Sequence, residues 1–365
     1  MLYYRYRPFS ELTIKELLYD ELFFASAEEC NDPYEGFPFA VFEPDREKWI
    51  ALLQFVWPKP VLQKYQDCFV NYLCGLGKLN LKEFMAMDFE NICSDEIGCE
   101  RQVFDFAIAL LKSCMNSYTF QKKYFVSFSK SRENYLMWSH YADQHRGFCL
   151  IFRSENGAMS QRSDSVKSKL VFDGLTITIP ERFPFKNVEY CESAKTVNAF
   201  DSFPADVCKK YSFESEEERL IFLNSLDHYF LEKSTCWKYE EEVRLVLAAP
   251  RACFAGRIEL SKNQRLFHYN PSQLIGIIFG SRTTENAKNR IMEIVNDKQF
   301  MYAKNGDLKG KPDIFMFFQA KMSNTERQLE IVPIGGNFAG SLIKSDEPSF
   351  KNFYRHWNLA NEKNL

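Results

Sequence analysis

Trp237-Lys-Tyr-Glu-Glu-Glu-Val-Arg-Leu-Val-Leu247 is the stretch from which the rest of the chain can be read. Its second half alternates. Val243, Leu245 and Leu247 fall on one face of a strand, and Glu240, Glu242 and Arg244 on the other. Two carboxylates and an arginine above an apolar back face are costly to cover unless they are paired or at work. Two readings follow: a reaction centre, or the solvated outer face of an ordinary strand.

The same alternation recurs on both sides of this stretch. Leu2, Tyr4 and Tyr6 oppose Tyr3, Arg5 and Arg7 before Pro8 ends the first strand. Tyr124-Phe-Val-Ser-Phe-Ser129 sends Ser127 and Ser129 to the side opposite Tyr124, Val126 and Phe128. Further strands are expected at Leu22–Ala25, at Gly147–Phe152, twice within 171–190, at Leu274–Phe279, at Ile314–Met322 and at Leu329–Ile334. Helices are expected at Thr13–Asp20, Glu133–Ala142, Phe213–Lys233 and Thr284–Asn296. Apolar spacing turns helical between Trp49 and Tyr118. The fold class is therefore α+β, a mixed and mainly antiparallel sheet. Residues 1–44 and 119–340 make the core, 45–118 a helical insertion, and 341–365 a polar C-terminal tail.

Composition narrows the class. The chain has 365 residues, 45% of them hydrophobic and 16% aromatic, which suits a packed core rather than disorder. A net charge of −3 provides no global field for a nucleic-acid backbone. The N-terminus lacks a secretory apolar segment and no apolar run could span a bilayer, so no membrane association and a cytoplasmic location are expected. Eleven cysteines, an odd number without a C-x-x-C pair, predict reduced thiols, no disulfides and no metal.

Three polar strand faces carry the candidate chemistry: Arg5 and Arg7, Ser127 and Ser129, Glu240 and Glu242. Arginine grips pyrophosphate bidentately, hydroxyls hold a ribose, and a carboxylate stabilises positive charge growing on a sugar. Together they suit cleavage of the N-glycosidic bond of a nicotinamide dinucleotide. Tyr135, Trp138 and Tyr141 share helical spacing and are expected to pack or to wall a pocket, with His140 beside them as a donor. His140 and His145 are five apart, the wrong interval for two metal ligands on one helix face. Asn31-Asp-Pro-Tyr-Glu35 offers carboxylates of the kind a metal-dependent nuclease uses, but turn chemistry explains it without a metal.

Tyr4-Arg-Tyr-Arg7, Asn31–Glu35, Phe125–Ser129, Leu136-Met-Trp-Ser-His-Tyr-Ala142, His145-Arg-Gly-Phe148, Trp237–Arg244 and Ile277-Ile-Phe-Gly280 occur in this order. In these motifs the chain resembles the bacterial family known as domain of unknown function 2971, over most of residues 1–300. More remotely it resembles the ADP-ribosyltransferases, which place Arg or His, then Ser or Tyr, then a catalytic Glu on successive strands. That resemblance implies NAD as substrate, with Arg5 or Arg7 on its phosphates and Ser127 (or Ser26) supporting the ribose. Glu242 would be catalytic and Glu240 would serve the acceptor. Ser129, Tyr135, Trp138, His140 and Tyr141 would line the dinucleotide site. It also implies an unknown macromolecular acceptor, or NAD hydrolysis, and a role as toxin or anti-phage defence effector. The alternative is a non-catalytic module that recognises protein or nucleic acid, with Glu242 and Arg244 as a structural ion pair. The oligomeric state is open.

Overall fold

The computed structural model describes residues 1–36, 39–57, 60–89, 100–117, 122–172, 175–203, 228–249, 259–305 and 314–362. A ten-stranded sheet organises them. In spatial order its strands are Lys186–Asn187, Glu242–Ala248, Lys123–Ser129, Leu2–Arg7, Phe148–Arg153, Leu274–Phe279, Ile314–Met322, Leu329–Phe338 and Ser341–Lys344, and Ala25–Ser26 pairs with Lys123–Ser129 beside the first strand. Every pairing is antiparallel except that of Leu274–Phe279 with Ile314–Met322, which the helix Glu285–Asn305 connects. The sheet is thus mixed and mainly antiparallel, as the strand alternation predicts.

Alternation along the strands builds two apolar layers. Tyr3, Val126, Phe128, Val243, Leu245, Ile277 and Phe317 pack on one face with Ile291 and Val295 of the long helix. Leu2, Tyr4, Tyr6, Ile151, Ile278 and Phe318 pack on the other with Trp138 and Trp357. A third cluster, around Phe42, Trp49, Phe69 and Phe104, unites the helices Arg46–Val56, Pro60–Gly75, Leu81–Ala86 and Arg101–Ser117 and reaches the sheet at Phe125.

Two glycines carry the junction at the sheet's centre. A Cβ on Gly147 would lie 2.2 Å from the Arg7 carbonyl oxygen, and one on Gly280 would lie 2.2 Å from that of His145. Gly280 N–H donates to the Gly147 carbonyl (3.0 Å) and Thr283 Oγ1 donates to the same oxygen (2.7 Å). The close approach is open only to glycine.

Two expectations are corrected. The segment 341–365 is not a polar tail where it is described. Ser341–Lys344 extends the sheet, and the helix Phe350–Glu362 buries Trp357, whose Nε1 donates to the Ile275 carbonyl (3.1 Å). Phe350, Phe353, Tyr354 and Trp357 recur at i, i+3, i+4 and i+7, an apolar stripe diluted by polar neighbours. The expected helix Phe213–Lys233 lies largely outside the described residues, and its described end is a 3-10 turn, His228–Leu231, followed by a strand, Glu232–Ser234.

Candidate active site

The site forms where the sheet opens. The strand Lys123–Ser129 pairs with Ala25–Ser26 at Phe125 and Tyr124, and with the first strand at Tyr4↔Ser129. Among the described residues no strand is registered against the same edge at Val126–Phe128. A cavity of about 420 Å³ occupies this gap, lined among others by Arg5, Arg7, Ser127, Ser129, His140, Tyr141, Lys233, Glu240 and Glu242.

Register fixes which groups share a face. Glu242 stands opposite Ser129, and Arg244 opposite Ser127. These four side chains therefore project together, between the Trp138 cluster and the helical cluster. Arg5 and Arg7 leave the first strand on the other face, with Tyr3, where Arg7 meets Glu16 and the Arg5 Cζ lies 5.9 Å from the centre of the Phe128 ring; both residues are among those that line the cavity.

The expected strand does not extend back to Glu240. Residues Thr235–Glu240 form a 3-10 helix that ends at Glu241, whose φ of 45° is left-handed, and the strand begins at Glu242. This turn places the Glu240 carboxylate beside that of Glu242. Both are buried, 3% and 5% exposed.

A set of buried charges holds them. Arg244 is fully buried and uses each of its five N–H donors. Nε and Nη2 donate to Glu242 (2.8 Å each), Nη1 and Nη2 to Glu35 (2.7 and 2.9 Å), and Nη1 also to the Phe230 carbonyl (2.6 Å). Its Cζ lies 4.2 Å from the centre of the Phe125 ring. Lys233 Nζ donates to Glu240 Oε2 (2.6 Å), lies 3.4 Å from Glu242 and 3.7 Å from Glu35, and sits over Trp237. The Tyr141 hydroxyl donates to Glu240 Oε1 and accepts from Asn31 Nδ2 (3.1 Å). His140 Nδ1 and the Tyr239 hydroxyl are hydrogen-bonded at 3.0 Å.

The two carboxylates are set apart electrostatically. Burial raises both, but at Glu242 the nearby Arg244 guanidinium, Lys233 and the Ser127 hydroxyl outweigh it and bring the carboxyl down to about 2. At Glu240 desolvation prevails over Lys233 and Tyr141, and its pKa is raised. Two carboxyls driven apart by their surroundings are the usual preparation for different roles in one reaction.

The arginine end of the cavity is under-satisfied. The half-buried Arg5 guanidinium has no hydrogen-bond or ion-pair partner among the described residues, and burial reinforced by Arg7 lowers it to about 10. Arg7 is engaged by Glu16 through Nη2, yet its buried Nε has no partner.

Of the residues expected around a dinucleotide, Tyr135 and Trp138 do not line this cavity. Tyr135 is 58% exposed on the outer side of its short helix. Trp138 is enclosed in the core, edge-on to Tyr6, with Nε1 donating to the Arg132 carbonyl (3.0 Å). Ser127 is exposed towards the cavity, and Ser129 is buried, accepting from the Ser131 N–H (3.0 Å). Ser26 is outside the lining, whereas Ala25 is part of it. Sequence reasoning missed Glu35 and Lys233, which complete the cluster. Glu35 was legible as a carboxylate in a turn, but nothing local pairs it with an arginine 209 positions away. None of the cysteines described is in a disulfide, and among the described residues no group of three or more His, Cys, Asp or Glu is placed to hold a metal ion. No described helix is long and apolar enough to cross a membrane.

Residues 137–245 match the family described as "Protein of unknown function (DUF2971)". The matched segment contains Tyr141, Lys233, Glu240, Glu242 and Arg244, whereas Arg5, Arg7 and Glu35 precede it. No curated protein and no solved structure matches the chain.

Proposed function

We propose that this cavity binds NAD as a substrate and cleaves its nicotinamide–ribose bond, the chemistry of an ADP-ribosyltransferase-like enzyme. The observation that carries the reading is the polarity of the cavity. Arg5, without a hydrogen-bond or ion-pair partner among the described residues, and Arg7, whose Nε has none there either, line the same cavity as an ionised, buried glutamate. Arg5 and Arg7 would take the pyrophosphate, since guanidinium N–H groups without partners favour a dianion that restores them. Ser127 would hold the ribose. Glu242 stays ionised and would stabilise the cationic sugar as nicotinamide departs, already positioned by Arg244 and Lys233. In bacteria enzymes of the class act as toxins or defence effectors, and that role belongs to the reading.

One observation favours a second reading. Arg244 engages both oxygens of Glu242, as it would in a purely structural ion pair within a recognition module for protein or nucleic acid. Calorimetric titration of the full chain with NAD distinguishes the two. Binding that Arg5→Ala weakens supports the enzyme reading, and no binding by wild type supports the module.

A further inference from the structure

We propose that the acceptor at this site is water, so that the reaction is hydrolysis of the dinucleotide to ADP-ribose and nicotinamide rather than transfer to a macromolecule. The inference rests on the dinucleotide reading above and decides what that reading leaves open.

It starts from Glu240, the group that would activate the acceptor. Its carboxylate is 3% exposed, and each oxygen already has a protein donor, Tyr141 on Oε1 and Lys233 on Oε2. Tyr141 is tied in turn to Asn31. The residue before it on the same helix, His140, is tied to Tyr239. The 31–36 loop, the helix Tyr135–Tyr141 and the 3-10 helix Thr235–Glu240 are thus joined by hydrogen bonds around the carboxylate. A side chain of a folded protein, or a base on a nucleic acid, carries a bulky backbone and would have to break these contacts to reach Glu240. Water need not. Each carboxylate oxygen accepts about two hydrogen bonds, so one position per oxygen remains for a molecule of water.

The chemistry agrees with the geometry. A carboxyl displaced upward by burial is a better base near neutral pH than an ordinary glutamate. In the step itself, the bond between C1 of the nicotinamide ribose and the pyridinium nitrogen breaks. Its electron pair returns to that nitrogen, leaving neutral nicotinamide. A new C1–O bond forms from water, and the water proton passes to Glu240 and then to solvent. No oxidant, metal or further reactant is needed.

The test uses the purified full chain and NAD labelled with 32P at the adenylate phosphate, with and without a lysate supplying protein and nucleic acid. Hydrolysis requires nicotinamide and free ADP-ribose in equal amounts, at a rate the lysate does not change, and no label on macromolecules. Glu240→Gln should slow nicotinamide release about a hundredfold or more, with its melting curve as the folding control. Label on a macromolecule in proportion to nicotinamide released overturns the proposal while leaving the dinucleotide reading intact. Absence of nicotinamide release with and without lysate overturns both.

Discussion

Glu240 and Glu242 share one ammonium, that of Lys233, at 2.6 and 3.4 Å, yet their carboxyls are displaced in opposite directions. The difference lies in the second cation. Arg244 reaches both oxygens of Glu242 and none of Glu240, whose other oxygen meets only a phenol.

The pair should leave a signature in stability against pH. The Glu242 carboxyl is depressed from 4.5 to about 2, so its contribution is present above about 4.5 and is lost as pH falls towards 2. That contribution is on the order of 3 kcal/mol. Glu240 has the opposite sign. Its folded pKa is raised above 4.5, so the fold gains stability as pH falls through that raised pKa towards 4.5 and loses it as pH rises again. Urea unfolding from pH 7 to pH 3 should show Glu242→Gln with a shallower acid limb than wild type. Glu240→Gln should lose the gain that precedes it.

Arg244 joins its neighbour Glu242 to Glu35, which lies 209 positions before the arginine, within the core. Arg244→Met leaves two buried carboxylates short of their cation and should cost about 3–5 kcal/mol. The matching control is Arg244→Met with Glu35→Gln, which should recover part of the loss, read from denaturant midpoints.

Arg5 behaves in the reverse way. Arg5 has no ion pair among the described residues to offset the burial of its charge, so Arg5→Ala should leave the melting temperature unchanged or raise it. NAD affinity should fall about tenfold to a hundredfold, the size of a lost charge-assisted hydrogen bond. Calorimetry together with melting curves measures both quantities.

Trp138 and Tyr135 separate packing from exposure on one short helix. Trp138→Ala empties a fully enclosed site and should cost about 3–5 kcal/mol. Tyr135→Ala, at a position 58% exposed, should stay within about 0.5 kcal/mol. Thermal denaturation of the two variants checks the contrast.

The legible parts of this chain were its strand faces. Alternation at Leu2–Arg7, Lys123–Ser129 and Glu242–Ala248 assigns each face even though the sheet is covered on both sides, with Tyr3, Phe125 and Val246 as the apolar members of the polar faces. It placed Ser127, Glu242 and Arg244 correctly on common faces. It failed at Glu240, where a left-handed Glu241 ends a 3-10 helix that the alternating pattern concealed. It also missed Lys233 and Glu35, because the pairing of distant charges follows from tertiary packing and leaves no local period. Trp357 escaped notice because its helix presents a single apolar stripe among charges. The gap in the sheet beside Val126–Phe128 had no sequence signature at all. It arises because Ala25–Ser26 and Tyr4 each pair with only part of one strand edge.

Nicotinamide release from NAD by the purified chain, compared between wild type and Glu242→Gln, tests the central claim most directly. Gln keeps the shape and removes the charge that would stabilise the ribosyl cation. Release by wild type, reduced about a hundredfold to a thousandfold in a variant that still folds and binds NAD, is the expected result. Release that is equal in the two proteins, or absent from wild type, contradicts a catalytic Glu242.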